Sequence, residues 1–186
     1  MNIARKAGRA RAVLVAALAV LGLVALPASP ALAWAGVGQV YASPIFNDPA
    51  PRCLDDPNGS KAVGQQIIAY TCGPGSRIMQ NWAYEGFTLG GGLVFMLRND
   101  ASGLCLSTQN QVKGSGIVQL PCNSNDHRTV WRKLRSNPPY PQPLRMQNYH
   151  SALCVNIEHA SRADNARILQ WSCETSWNNN WYLSGA

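Results

Sequence analysis

Beyond about residue 34 the apolar residues of this chain never recur at helical spacing; they come in short bursts punctuated by Gly, Pro and Asn. The pattern is clearest in the middle of the chain. LVFMLRN (Leu93 to Asn99), GLCLS (Gly103 to Ser107), GIVQL (Gly116 to Leu120) and the segment at Trp131 each read as a short strand. The same punctuation is written three times. Cys53, Cys105 and Cys154 stand 52 and 49 residues apart, Cys72, Cys122 and Cys173 stand 50 and 51 apart, and Trp82, Trp131 and Trp181 stand 49 and 50 apart. Asn47, Asn99 and Asn148 each precede the opening cysteine by six residues. Four landmarks in register over three copies mark an internal repeat.

About four strands per copy predict about twelve in one all-β domain, a barrel or a sandwich. The threefold repeat narrows this to a β-trefoil, in which no unit can bury its apolar face alone and the three meet at a shared axis. The copies run over about residues 43–85, 93–134 and 143–184. Their alignment predicts the core: Ile45, Leu97 and Met146; Leu54, Leu106 and Val155; Ile67, Ile117 and Ile168; and the three tryptophans, one large apolar ring per copy.

Six cysteines allow fifteen pairings, but copies that fold alike each close their own bridge: Cys53 to Cys72, Cys105 to Cys122 and Cys154 to Cys173. Each loop of about 20 residues contributes roughly 3 kcal/mol by constraining the unfolded chain. No C-x-x-C occurs, and His127, His150 and His159 fit no ligand spacing, so neither a metal nor a cofactor is expected.

The N-terminal stretch changes the charge argument. Arg5, Lys6, Arg9 and Arg11 precede an apolar run from Val13 to about Ala28 and then Ala31-Leu32-Ala33. This reads as a secretory signal peptide over residues 1–33, since the run is shorter than the ~20 residues of a membrane span. Residues 34–42 are then a short lead-in to a trefoil over 43–186, secreted and with no membrane span in the mature protein. Formal charge is +7 over the whole chain, from 16 Lys and Arg against 9 Asp and Glu. Removing the four basic residues of the leader leaves twelve against nine, a formal +3. That ordinary surface gives no footprint for nucleic acid. The one basic cluster, Arg132, Lys133 and Arg135, reads as a solvated strand end.

The unit opens Cys53-Leu54-Asp55, continues with Ile67, Tyr70 and Cys72 at I-x-x-aromatic-x-C spacing, and ends on Gln80-Asn81-Trp82. It resembles the ricin B-chain type carbohydrate-binding β-trefoil, a module also carried by bacterial glycosidases. The resemblance covers about residues 43 to 184. The Q-x-W triplet survives only in the first copy; the second has Thr129-Val130-Trp131 and the third Asn179-Asn180-Trp181.

The resemblance implies that sugar contact falls to an acid just after the opening cysteine, an aromatic two residues before the closing cysteine, and polar groups near the Q-x-W. The chemistry suits a pyranose. Its C–H face sits on an aromatic ring, while a carboxylate or amide binds vicinal hydroxyls on its rim. The first copy offers Asp55, Tyr70 and Gln80, with Ile68 and Met79 where many family members carry Gln and Asn. Asp55 also reads as a turn cap for Asp56-Pro57-Asn58-Gly59, and Tyr70 as a ring flanking the core. The third copy offers Asn156, Trp171, Asn178 and Asn179, with Gln170 directly before the aromatic. On a regular strand Gln170 and Trp171 face opposite sides, unless the strand bulges. The second copy has Ser107, Leu120 and Thr129 at these positions, keeps only Gln119 as a polar match, and reads as structural.

No catalytic constellation stands out, so no enzymatic role is expected. The reading is a lectin for galactose-type or polysaccharide sugars that does not alter them, with a possible protein partner. The alternative is a protein-binding trefoil, either a protease inhibitor or the cell-binding subunit of a toxin-like complex.

Overall fold

A computed structural model describes residues 35–45, 48–73, 77–135 and 143–184. The expected leader, Trp34 and Asn47 lie outside them. The described residues form twelve strands: β1 (Ala35–Ala42), β2 (Arg52–Asp55), β3 (Ile68–Thr71), β4 (Asn81–Leu89), β5 (Gly92–Asn99), β6 (Cys105–Thr108), β7 (Ile117–Leu120), β8 (Trp131–Arg135), β9 (Leu144–Asn148), β10 (Cys154–Ile157), β11 (Ala166–Trp171) and β12 (Trp181–Leu183). The four strands expected in the middle copy are β5 to β8.

Six strands close a barrel. β1 pairs with β4, β4 with β5, β5 with β8, β8 with β9, β9 with β12, and β12 returns to β1, so no edge is left in the ring. The other six form three hairpins, β2–β3, β6–β7 and β10–β11, which hang from β1, β5 and β9. The hairpins meet through β3–β11 pairing and through the bridges Gln66–Val118 and Gly116–Leu169. This is a β-trefoil, and each copy closes its own disulfide with Cα atoms 5.0 to 5.1 Å apart.

The tryptophans lie in the shared core, at most 2% exposed. A buried indole N–H needs an acceptor. Each finds it in the strand that carries the opening cysteine of its own copy: Trp82 Nε1 donates to Leu54 O at 3.1 Å, Trp131 to Leu106 O at 2.9 Å and Trp181 to Val155 O at 3.0 Å.

The first copy departs from the expected register. Ile45 is 61% exposed, and Val40, 1% exposed, takes the place shared with Leu97 and Met146. The pairings show why: Tyr41 lies opposite Cys53, as Arg98 does opposite Cys105 and Gln147 opposite Cys154. The copy of Asn99 and Asn148 is therefore Ala42. Those asparagines brace the short turns that follow them, Asn99 Oδ1 accepting from the amides of Ala101 and Ser102 and Asn148 Oδ1 from those of His150 and Ser151. In the first copy a longer connection is braced by Asp48 instead, which accepts from Ala50 N at 2.9 Å and two bonds from Arg162 at 2.9 and 3.0 Å. The Arg162 bonds hold its carboxyl down to a pKa of about 2. β1 itself lies in the segment read as a lead-in and is a strand of the barrel.

Where the three hairpins meet, one side chain breaks the symmetry. Gln66 Nε2 lies 2.6, 2.8 and 2.7 Å from the carbonyl oxygens of Ile67, Ile117 and Ile168. An axis has room for one such side chain. The equivalent position in the second copy is Gly116, where a Cβ would stand 2.0 Å from Gln66 Oε1. In the third copy it is Arg167, which instead reaches Glu158 at 3.1 Å. At the strand end of β8, Arg132 packs 4.2 Å over the Tyr149 ring and Lys133 4.2 Å over Tyr84.

Candidate functional site

Asp55 ends β2 and is 4% exposed at the floor of a cavity of about 190 Å³, with Tyr70 of β3 on its wall. Its Oδ2 accepts a 2.8 Å hydrogen bond from Gln80 Nε2 rather than capping the turn that follows. Gln80 is wholly buried. Its amide also donates to Thr71 O, and its oxygen accepts from Gly73 N and Gln39 Nε2. All four hydrogen-bonding positions of that amide are thus filled inside the protein. Gln80 orients Asp55 and has nothing left for a ligand. Burial pushes the Asp55 carboxyl above its usual range, against the Gln80 hydrogen bond and the Arg77 charge. The neighbouring Asp56 is wholly buried with neither carboxylate oxygen hydrogen-bonded. Burial first, then the charge of Asp55, raises its pKa to about 6, against the weaker opposing pull of the nearby Ser60 backbone amide.

The third copy builds the larger cavity, about 430 Å³, from Asn156, Trp171 and Asn178. β10 and β11 run in unbroken register from Cys154–Trp171 to Ile157–Ile168, so there is no bulge. Gln170 and Trp171 accordingly face opposite sides. Gln170 is wholly buried, and its Nε2 lies 2.6, 3.0 and 2.6 Å from Asn110 O, Val112 O and Ser115 Oγ, among which its two N–H donors are shared. It pins the loop of the preceding copy and takes no part in the cavity. Trp171 points outward, 36% exposed.

Asn179 stands at the register of Gln80 but is wholly buried and bonds Ser176 Oγ. One methylene shorter than glutamine, it does not reach Asn156. Asn178 does so instead, donating to Asn156 Oδ1 at 3.2 Å and Ile157 O at 2.9 Å. At the corresponding positions of the second copy the described polar side chains are turned to internal partners. Ser107 is buried and donates back to Cys105 O, and Gln119, wholly buried, donates to Ser60 O and Ala62 O of the first copy.

Residues from neighbouring copies complete both cavities, and single-copy reading misses them. Gly64, Gly114 and Asn165 occupy one register, all with positive φ (84, 88 and 65°). Asparagine is the residue besides glycine that most readily adopts this conformation. In the third copy it thereby brings a side-chain amide to the wall of the first cavity, while Gly114 of the second copy lines the third. That loop is held to the first copy by Asp164, which accepts from Thr71 N and Thr71 Oγ1 at 2.7 Å and pairs with Arg52 at 3.2 Å. Asn58 and Arg77 also line the first cavity, and Glu158, His159, Glu174 and Ser176 the third. The recurrence of Gly64, Gly114 and Asn165 three residues before Ile67, Ile117 and Ile168 is the sequence signal by which Asn165 could have been found.

The family model of the ricin-type β-trefoil lectin domain matches residues 93–186. The fold is similar to the designed threefold symmetric protein ThreeFoil, with a TM-score of 0.65 and 23% identity over 79% of this chain and 96% of that one. It is also similar to the agglutinin of Rhizoctonia solani, with a TM-score of 0.61 and 16% identity over 80% and 96%. The C-half of an earthworm R-type lectin, solved with GalNAc, gives a TM-score of 0.54 and 15% identity over 80% and 99%. No curated protein sequence matches. With its three in-copy disulfides, which suit an oxidising compartment, and its closed threefold barrel, the chain belongs to the ricin-type β-trefoil lectin domain family.

Proposed function

We propose that this is a secreted lectin that binds galactose-type or polysaccharide sugars at its first and third copies and does not alter them. Residues 1–33 act as its signal peptide, and the mature chain is the trefoil. The supporting observation is the pairing of two cavities at equivalent places, each with an aromatic ring two residues before the closing cysteine and a polar side chain after the opening one. Asp55 with Tyr70, and Asn156 and Asn178 with Trp171, are the contacting residues. Gln80 acts behind Asp55. The sugar complex of the similar earthworm lectin points the same way.

Shallow sites of this kind bind singly at about millimolar to tens of micromolar, or about 4 to 6 kcal/mol. Two on one body act together on a repeating glycan. The test is a glycan-array screen of the oxidised mature protein beside Asp55→Ala and Trp171→Ala. Each variant is expected to lose its own site. Asp55→Ala should leave the thermal midpoint nearly unchanged, because it removes a carboxylate whose charge burial disfavours and leaves Gln80 Nε2 bonded to Thr71 O. No binding by the folded, fully bridged protein would sink this reading in favour of a protein partner.

A further inference from the structure

We infer that the two cavities read opposite ends of a hydrogen bond: the first requires a free sugar hydroxyl at Asp55, whereas the third takes an O-substituted unit, whose ether or ester oxygen meets Asn156. This inference rests on the carbohydrate reading above and specifies the ligand of each site. In the third cavity a backbone carbonyl fixes the polarity. Asn178 Nδ2 donates to Ile157 O at 2.9 Å, which only the nitrogen end of that amide can do. The same nitrogen lies 3.2 Å from Asn156, so the end of Asn156 that faces it is the acceptor, Oδ1. Asn156 Nδ2 is left over. It has no partner among the described residues and is not one of the side-chain atoms sealed off without one, and Asn156 lines the cavity. The floor of the third cavity therefore donates.

The floor of the first cavity accepts. Gln80 Nε2 is fixed by Thr71 O at 3.1 Å and donates to Asp55 Oδ2 at 2.8 Å, which leaves Asp55 Oδ1 for the cavity that Asp55 lines. An ionised carboxylate only accepts, and an amide N–H only donates. A sugar hydroxyl can answer either, but an ether or ester oxygen can answer only the amide. Set against Asp55, such an oxygen brings two acceptors together and leaves the buried one unbonded. Size agrees with polarity. The third cavity, at about 430 Å³ against about 190 Å³, has the room for a substituent or for the next unit of a chain.

The test is a titration of the mature protein at neutral pH with methyl β-galactoside, its three singly O-methylated ethers and a galactose disaccharide. The Gln80 side-chain amide resonances report on the first cavity and the Trp171 indole N–H on the third. At least one ether is expected to bind the first cavity about tenfold more weakly than the parent, and that same ether to bind the third at least as well as the parent. The disaccharide tells whether the substituent is a cap or a second unit. Asn156→Asp keeps the size of the side chain and turns the floor into an acceptor. It is expected to lower the ether-to-parent affinity ratio at the third cavity about tenfold, and Asp55→Asn to raise that ratio at the first by a comparable factor. Ethers that rank alike at the two cavities, or a ratio that neither exchange moves, would overturn the inference and leave the lectin reading standing. No shift of either resonance with any of these sugars would remove the galactose-type lectin reading and this inference together.

Discussion

Asp56→Asn is expected to raise the thermal midpoint at neutral pH and to leave it unchanged below about pH 4. Asp56 is wholly buried between the Asp55 carboxyl and the turn at Pro57, with both oxygens unbonded and a pKa of about 6 against an ordinary 3.8. A carboxyl whose pKa is raised by folding is protonated in both states below 3.8, where it costs nothing. As pH rises through about 6 the folded state must either hold a buried charge or keep a proton that the unfolded chain releases. Stability is lost over that window, by about 3 kcal/mol for a shift of roughly two units. The amide keeps the shape and cannot ionise. In a domain of this size the gain corresponds to roughly 6 to 12 °C at pH 7.5. Thermal unfolding of both proteins from pH 4 to 8 is the measurement, and parallel curves across that range would show that the Asp56 charge is compensated.

The second large effect concerns the axis. Gly116→Ala places a Cβ 2.0 Å from Gln66 Oε1, so Gln66 must leave the three carbonyls it serves. The cost, overpacking plus lost hydrogen bonds, is roughly 2 to 3 kcal/mol by urea unfolding. Gln66→Gly removes the donor outright and is expected to cost a comparable amount. The exchange Gln66→Gly with Gly116→Gln restores one amide on a pseudo-threefold axis from a different copy. It is therefore expected to recover most of the loss of its two single changes. A doubly exchanged protein no more stable than the sum of those changes would show that the axis is not interchangeable between copies.

Much of this architecture was legible because it is local and repeated. Cysteines 17 or 19 residues apart close bridges within one copy, and a tryptophan after each closing cysteine donates to the strand that carries the opening cysteine of the same copy. Such contacts depend on spacing along the chain, and spacing is written there three times. The error at Ile45 came from the same source. The match of Asn47 with Asn99 and Asn148 aligned a loop that is longer in the first copy, and only the pairing of Tyr41 with Cys53 showed that Val40 enters the core.

The placing of the candidate site residues was legible only in half. Asp55, Tyr70, Asn156, Trp171 and Asn178 lie where the repeat places them, but Gln80, Gln170 and Asn179 are buried in work internal to the fold. A polar residue's register says which strand carries it, and not whether its hydrogen bonds are already taken by backbone from another copy. Sequence by itself determined the three bridges and the buried tryptophans, which follow from contacts within a copy, and the threefold barrel, which the repetition of a unit unable to bury its own apolar face requires. Tertiary structure alone decided what lines the cavities. Asn165 reaches the first and Gly114 the third from loops 110 and 42 residues away from Asp55 and Asn156, and the chain brings those loops there only when three copies close around one axis.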